Sequence, residues 1–186
     1  MKLQNYRQFE GMQRLDFESD TLADFIVVYG TNGGGKTTLL SAVLWAFHGE
    51  VRFIKSPSQL ASSSLFSSED EVHQTSVTIG FEDSGTNFEV TRTQKFRLSN
   101  GVQIPLSGSE VILLGPGGQN IEPAQREINK RLPLSLARFL LFPGEGLDGF
   151  FASQRLADLQ ADVKRISKIG LLEETSAILL AAHSRL

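Results

Sequence analysis

The run Gly30-Thr31-Asn32-Gly33-Gly34-Gly35-Lys36-Thr37 constrains this chain more than any other feature, because it satisfies the spacing G-x-x-x-x-G-K-[ST] in a fitting local context. Phe25-Ile26-Val27-Val28-Tyr29 before it reads as a buried strand. After it, Leu39, Leu40, Val43, Leu44 and Phe47 recur at helical spacing up to Gly49. Strand, loop and helix in that order make a phosphate cradle. Glycines let the backbone wrap an anion with its N–H groups, and the start of the helix adds the positive end of its dipole. Lys36 is then expected to reach the β- and γ-phosphates, Thr37 to ligate Mg²⁺ through its hydroxyl, and Thr38 to add a hydrogen bond to the α-phosphate. The competing interpretation is a glycine-rich turn with an incidental lysine. No base-reading motif such as N-K-x-D identifies the nucleotide.

The 186 residues, 40% of them apolar, suffice for one globular domain with a sizeable core but not comfortably for two. With 18 basic and 21 acidic residues the formal charge is -3, so any contact with nucleic acid has to come from a local patch. The absence of cysteine excludes a disulfide framework and thiolate metal sites. Met1 to Phe9 lack an apolar signal core, and no apolar run approaches the roughly 18 residues of a membrane span, so a cytoplasmic protein is expected.

Leu3, Phe9, Leu15 and Phe17, with Gly11 as the turn, suggest two short strands before residue 20. Residues 56–68 hold seven serines and Pro57, a composition expected to bury little and to form a mobile connection over about 54–71. Val77, Ile79 and Phe81 alternate with polar neighbours, as do Phe88 and Val90, across a turn at Asp83-Ser84-Gly85. Asn100-Gly101 marks a second hairpin. Val111–Leu114 reads as a further strand, Gly115–Gly118 as a loop, and Pro123 as the first turn of a helix bearing Ala124, Ile128 and Leu132. Leu156, Leu159, Val163 and Ile166 step at heptad spacing, and after Gly170 a series from Leu171 to Ala182 runs on without a stop signal. That face could lie on the protein's own core or begin a coiled coil.

With its flanks, the loop Tyr29–Gly49 resembles the N-terminal half of SMC-like and Rad-type ATPases. In these families an asparagine matches Asn32, an alanine matches Ala42, and the helix ends as Phe47-His48-Gly49 does here. The opening Leu3-Gln-Asn-Tyr-Arg-Gln-Phe-Glu10-Gly11 is similar to their first strand, and Phe139-Leu-Leu-Phe-Pro-Gly-Glu145 echoes a Phe-rich stretch of the DndD-type ATPases of DNA sulfur modification. These motifs touch about a third of the chain. The resemblance implies an α/β fold of P-loop NTPase type: the N-terminal lobe (residues 1–168) of an ABC-type head, with an added antiparallel β layer over 72–114. Helices from 169 to 186 would lead toward a coiled coil. It implies ATP with Mg²⁺, a C-terminal lobe of the same head, a second head paired in an ATP-dependent homodimer, and DNA, with no membrane.

Hydrolysis would need that other lobe, because no Walker B pair follows either apolar run: Val111–Leu114 leads into Gly115-Pro116, and Phe139–Phe142, read as a strand, into Pro143. These families carry glutamine or aspartate where Pro143 stands, and proline can neither ligate Mg²⁺ nor position water. Either Glu145 or another residue takes over that function, or the correspondence is off by a residue or more; Glu145 is carried as a catalytic candidate beside Lys36, against its interpretation as a solvated carboxylate at a helix start. Arg7 is either close to the nucleotide, by resemblance, or a strand-edge charge.

Leu106-Ser-Gly-Ser-Glu110 resembles a signature motif but precedes a strand and is read as a turn. Arg126, Lys130, Arg131 and Arg138 could face DNA or simply solvent. His48, His73 and His183 lack metal-ligand spacing. Two rivals stay open: a complete small P-loop kinase or transferase, and a non-catalytic module that ATP staples into dimers.

Overall fold

A computed structural model of the chain describes residues 1–17, 26–53 and 59–141. The chain divides into two compact units, Met1–Ile128 and Asn129–Leu186. The first is built on a six-stranded antiparallel sheet of β1 (Lys2–Tyr6), β2 (Phe9–Arg14), β3 (Val72–Asp83), β4 (Thr86–Ser99), β5 (Val102–Pro105) and β6 (Glu110–Leu114). The order across it is β2-β1-β3-β4-β5, and β6 also pairs with β4. β4 is long enough to serve two partners on one side: Phe96–Ser99 face β5, and Glu89–Thr93 face β6.

The β3–β4 and β4–β5 hairpins fall where the turn residues require. Asp83 pairs with Thr86 across Ser84-Gly85, and Ser99 with Val102 across Asn100-Gly101. All four turn residues have positive φ, the geometry that matches the twist of the flanking strands. Glu69 secures the second turn by accepting the Asn100 and Gly101 amides at 2.8 and 3.1 Å. The first hairpin differs from expectation. β1 turns into β2 at Arg7-Gln8, whereas Gly11 sits inside β2, where its amide donates to Asn5 Oδ1 at 2.9 Å and the register slips by one residue. An asparagine side chain that takes up a strand amide favours a bulge over a turn at that glycine.

Helix α1 (Lys36–His48) lies against β3 and β4. Ala42, Trp45 and Ala46 pack with Leu3, Tyr6, Val77 and Phe96 to form the core, the Tyr6 and Trp45 rings being 5.5 Å apart. The helix stops at Gly49, whose left-handed φ of 69° lets its amide bond the Trp45 carbonyl at 2.8 Å. A buried arginine reinforces that end. Arg92 of β4 donates from Nε to the Ala46 carbonyl at 3.1 Å and from Nη1 to Ser109 Oγ at 3.0 Å. Its Nη2 reaches Gln125 Oε1 at 2.6 Å. Burial lowers this guanidinium to about 10.

One part of the serine-rich connection departs from the expectation that it buries little. Leu60, Ala61 and Ser62 are buried, because their backbone is taken up on two sides. Leu60 and Ser62 bond to Arg7 and Asn5. Gln103 of β5 accepts from the Ala61 amide at 3.1 Å and donates to its carbonyl at 2.8 Å. Further on, the Ser67 amide and then the Ser68 hydroxyl bond Glu71 and hold its carboxyl below the usual range.

The proposed strand before the phosphate loop is also corrected. Ile26 to Gly30 adopt no strand pairing, and Ile26–Tyr29 are between 49% and 89% exposed. A strand buried on both faces needs neighbours, and among the described residues none lies beside it.

The loop after β6 contains a short 3-10 turn at Pro116–Gly118 and leads to α2 (Ala124–Arg131), which buries Ala124 and Ile128 as expected and crosses the division between the units. In the second unit, α3 spans Leu134–Leu140. Phe139-Leu140 therefore close a helix and do not belong to a strand, a correction explained by Pro133 immediately before the first turn. Pro143, Glu145, the heptad series and residues 169–186 lie outside the described residues.

Candidate phosphate-binding site

The loop from Gly30 to Gly35 ends in the first turn of α1, and its shape follows from a few local bonds. The Gly34 amide donates to the Thr31 carbonyl at 3.0 Å, closing a turn around Asn32 and Gly33. The first helical bond runs from the Leu39 amide to the Gly35 carbonyl at 2.9 Å. The amides of Lys36, Thr37 and Thr38 thus precede the helical ladder and form the open donor set that a phosphate takes up. No acidic residue lies in that turn to compete with an anion.

Gly35 is fixed by two constraints. Its φ is 100°, and a Cβ there would lie 2.7 Å from Phe9 Cζ and 2.8 Å from Gln8 Nε2. Only glycine fits a left-handed position overlain so closely by another turn. That overlying turn joins β1 to β2, so the hairpin forms a second wall beside the loop. Gln8 Nε2 donates to Thr38 Oγ1 at 3.2 Å.

Lys36 Nζ donates to the carbonyls of Gly30 and Thr31 at 2.8 and 2.9 Å. Its ammonium is thus folded back over the loop and satisfied by neutral acceptors that phosphate oxygens would replace. Thr37 is exposed on the second helical position, and Thr38 is buried on the third. Gly30, Thr31, Asn32, Gly33, Gly34, Gly35, Lys36, Thr37 and Thr38 are all brought together in one loop and helix start. The residues present fit a nucleoside polyphosphate: open amides, a lysine whose ammonium lies over the loop on neutral acceptors, and a helix N-terminus without acid.

Arg7 belongs to the same turn and makes hydrogen bonds to residues 59–62. Nη1 donates to the Gln59 carbonyl at 2.9 Å, its amide to the Leu60 carbonyl at 2.8 Å, and its carbonyl accepts the Ser62 hydroxyl. It thereby anchors the hairpin turn to residues 59–62. Sequence reasoning passed over Gln8 and Phe9, because nothing in their local pattern signals that a turn some thirty residues away will overlie Gly35. Leu106–Ser109 is the link between β5 and β6, not a helix start, and no group of three or more metal-ligating side chains occurs among the described residues. No helix among them is long and apolar enough to cross a membrane.

An open glycine-rich loop between an apolar segment and a largely buried helix defines the class: a P-loop nucleotide-binding domain. The profile of a family described as an AAA domain matches residues 1–179, and the chain belongs to that family of P-loop, SMC-like ATPases. No curated protein matches the chain.

Proposed function

We propose that the chain is the ATP-binding N-terminal lobe of an ABC-type head, and that ATP bound at Gly30–Thr38 drives the pairing of two heads. The observation that carries this reading is the exposed run Ile26–Tyr29 entering the phosphate loop directly. It has the composition of an interior strand and no partner strand among the described residues. A C-terminal lobe of the same head would cover it. That lobe would also supply the water-orienting carboxylates, since β6 ends at Leu114 and runs into Gly115-Pro116 without an acidic pair.

On this reading the amides of Lys36, Thr37 and Thr38 hold phosphate oxygens, and Lys36 leaves the Gly30 and Thr31 carbonyls for the β- and γ-phosphates. Thr37 would hold Mg²⁺, which when bound offsets the phosphate charge. Glu145 remains a catalytic candidate by resemblance. Support for DNA as partner, in modification, restriction or repair, comes from the likeness of Leu3–Gly11 and Tyr29–Gly49 to SMC and Rad-type ATPases. The finer likeness to DndD rests on Phe139–Glu145.

The test is Mg-ATP binding and turnover by the 186-residue chain, with Lys36→Ala as control. Binding lost in Lys36→Ala, with negligible turnover, is expected. Rapid turnover that Lys36→Ala abolishes would place a complete active site in this chain and overturn the half-head reading.

A further inference from the structure

We propose that Gln8 is a positioning residue for the bound nucleotide, acting through the hydroxyl of Thr38. The inference rests on the nucleotide-binding reading of the loop and adds to it a residue from a separate part of the fold. Thr38 is the third residue of α1, 7% exposed, with its amide ahead of the helical ladder. Its Oγ1 accepts a hydrogen bond from Gln8 Nε2 at 3.2 Å. A threonine hydroxyl has one proton and two lone pairs, so accepting from Gln8 leaves the proton free to donate. Helical threonines commonly spend that proton on a carbonyl one turn back. An amide fixing the oxygen from outside the helix favours an orientation that serves a phosphate oxygen instead.

The platform holding Gln8 is built for close approach. Its neighbour Arg7 is tied by backbone and side chain to Gln59, Leu60 and Ser62. Gly35 has no side chain, which leaves room for the Gln8 amide where a Cβ would sit 2.8 Å from it. Gln8 itself is exposed, so packing does not account for a glutamine there. A neutral amide also avoids placing a like charge beside a phosphate, as a carboxylate at this position would.

The experiment is calorimetric titration of the 186-residue chain with Mg-ATP and with Mg-ADP. It compares wild type, Gln8→Ala, Thr38→Val, Thr38→Ser, the double variant Gln8→Ala with Thr38→Val, and Lys36→Ala. Gln8→Ala is expected to weaken both nucleotides alike, by about fivefold, the worth of one modest hydrogen bond. Its thermal midpoint should stay at the wild-type value. Thr38→Ser should retain wild-type affinity, and the double variant should bind no more weakly than Thr38→Val alone. Wild-type affinity in Gln8→Ala, or additive losses in the double variant, would overturn the proposal while leaving the loop's role intact. A wild-type chain that binds neither nucleotide would overturn both.

Discussion

Arg92 Nη2 donates to the Phe47 carbonyl at 3.2 Å, so a buried cation from β4 closes one end of the helix whose other end begins the phosphate loop. Gln125 Nε2 joins the same carbonyl at 3.0 Å. A guanidinium at the negative end of α1 complements the helix dipole, just as an anion does at the opposite end. The helix is thereby pinned to β4, to the β5–β6 link and to the start of α2 by one side chain.

Arg92→Met is expected to destabilise the fold by about 2–3 kcal/mol, because the Ala46 carbonyl and the Gln125 and Ser109 side chains lose a charged donor in a buried setting. Arg92→Lys keeps the charge without the planar fork and should recover only part of the loss. Urea denaturation midpoints of the two variants check both statements.

The Tyr6 phenol is pushed up to about 12, chiefly by burial. The Ser41 hydroxyl lies beside it, yet neither oxygen makes a hydrogen bond of regular geometry. Between pH 10 and 12 the unfolded phenol is ionised while the folded one keeps its proton. Its contribution to stability is therefore fully present below pH 10 and lost as pH rises toward 12. Arg92 acts in the opposite sense near the same range, since its lowered value makes the unfolded chain bind more protons. The difference between wild type and Tyr6→Phe isolates the phenol: Tyr6→Phe should show the shallower alkaline decline in urea melts at pH 9, 10 and 11.

Gly35→Ala meets both the left-handed backbone and the Phe9 ring, and is expected to abolish nucleotide binding. The φ of 100° alone costs about 1–3 kcal/mol for a residue with a side chain. Adding Phe9→Ala removes the ring contact but not the backbone strain, so affinity should return only in part. A filter-binding assay with labelled ATP distinguishes that outcome from full recovery, which would show that φ is irrelevant here.

Gln103→Leu removes the side chain that pairs with both backbone groups of Ala61. A loss of about 2 kcal/mol is expected from two buried groups left unpaired. Amide exchange should quicken at residues 59–62 and, through their contacts with Arg7, in the turn that carries Gln8. Unchanged exchange there would mean the β1 side holds the segment by itself.

Much of the sheet was legible in the sequence because its determinants are local. Asp83-Ser84-Gly85 and Asn100-Gly101 specify their turns, and alternation in Val77–Phe81 and Phe88–Val90 follows from one buried face. The phosphate loop was legible for the same reason: eight consecutive residues carry its backbone geometry. What escaped depends on distant partners. Ala61 is buried because Gln103 satisfies it, and no serine-rich composition announces that. Ile26–Val28 reads as an interior strand, but position in a sheet is a property of neighbours, and none is present among the described residues. Gln8 joins the site only because a hairpin folds over Gly35.

The ribbon at Ile26–Tyr29, exposed and without a partner strand among the described residues, has a consequence for solubility. Unpaired apolar backbone is a template on which another copy can add. Raising the concentration of a chain that exposes such a ribbon favours that addition. Solubility is thus the property this ribbon governs most directly, and a charge placed within it, as in Val27→Lys, is expected to raise the concentration at which the chain stays in solution.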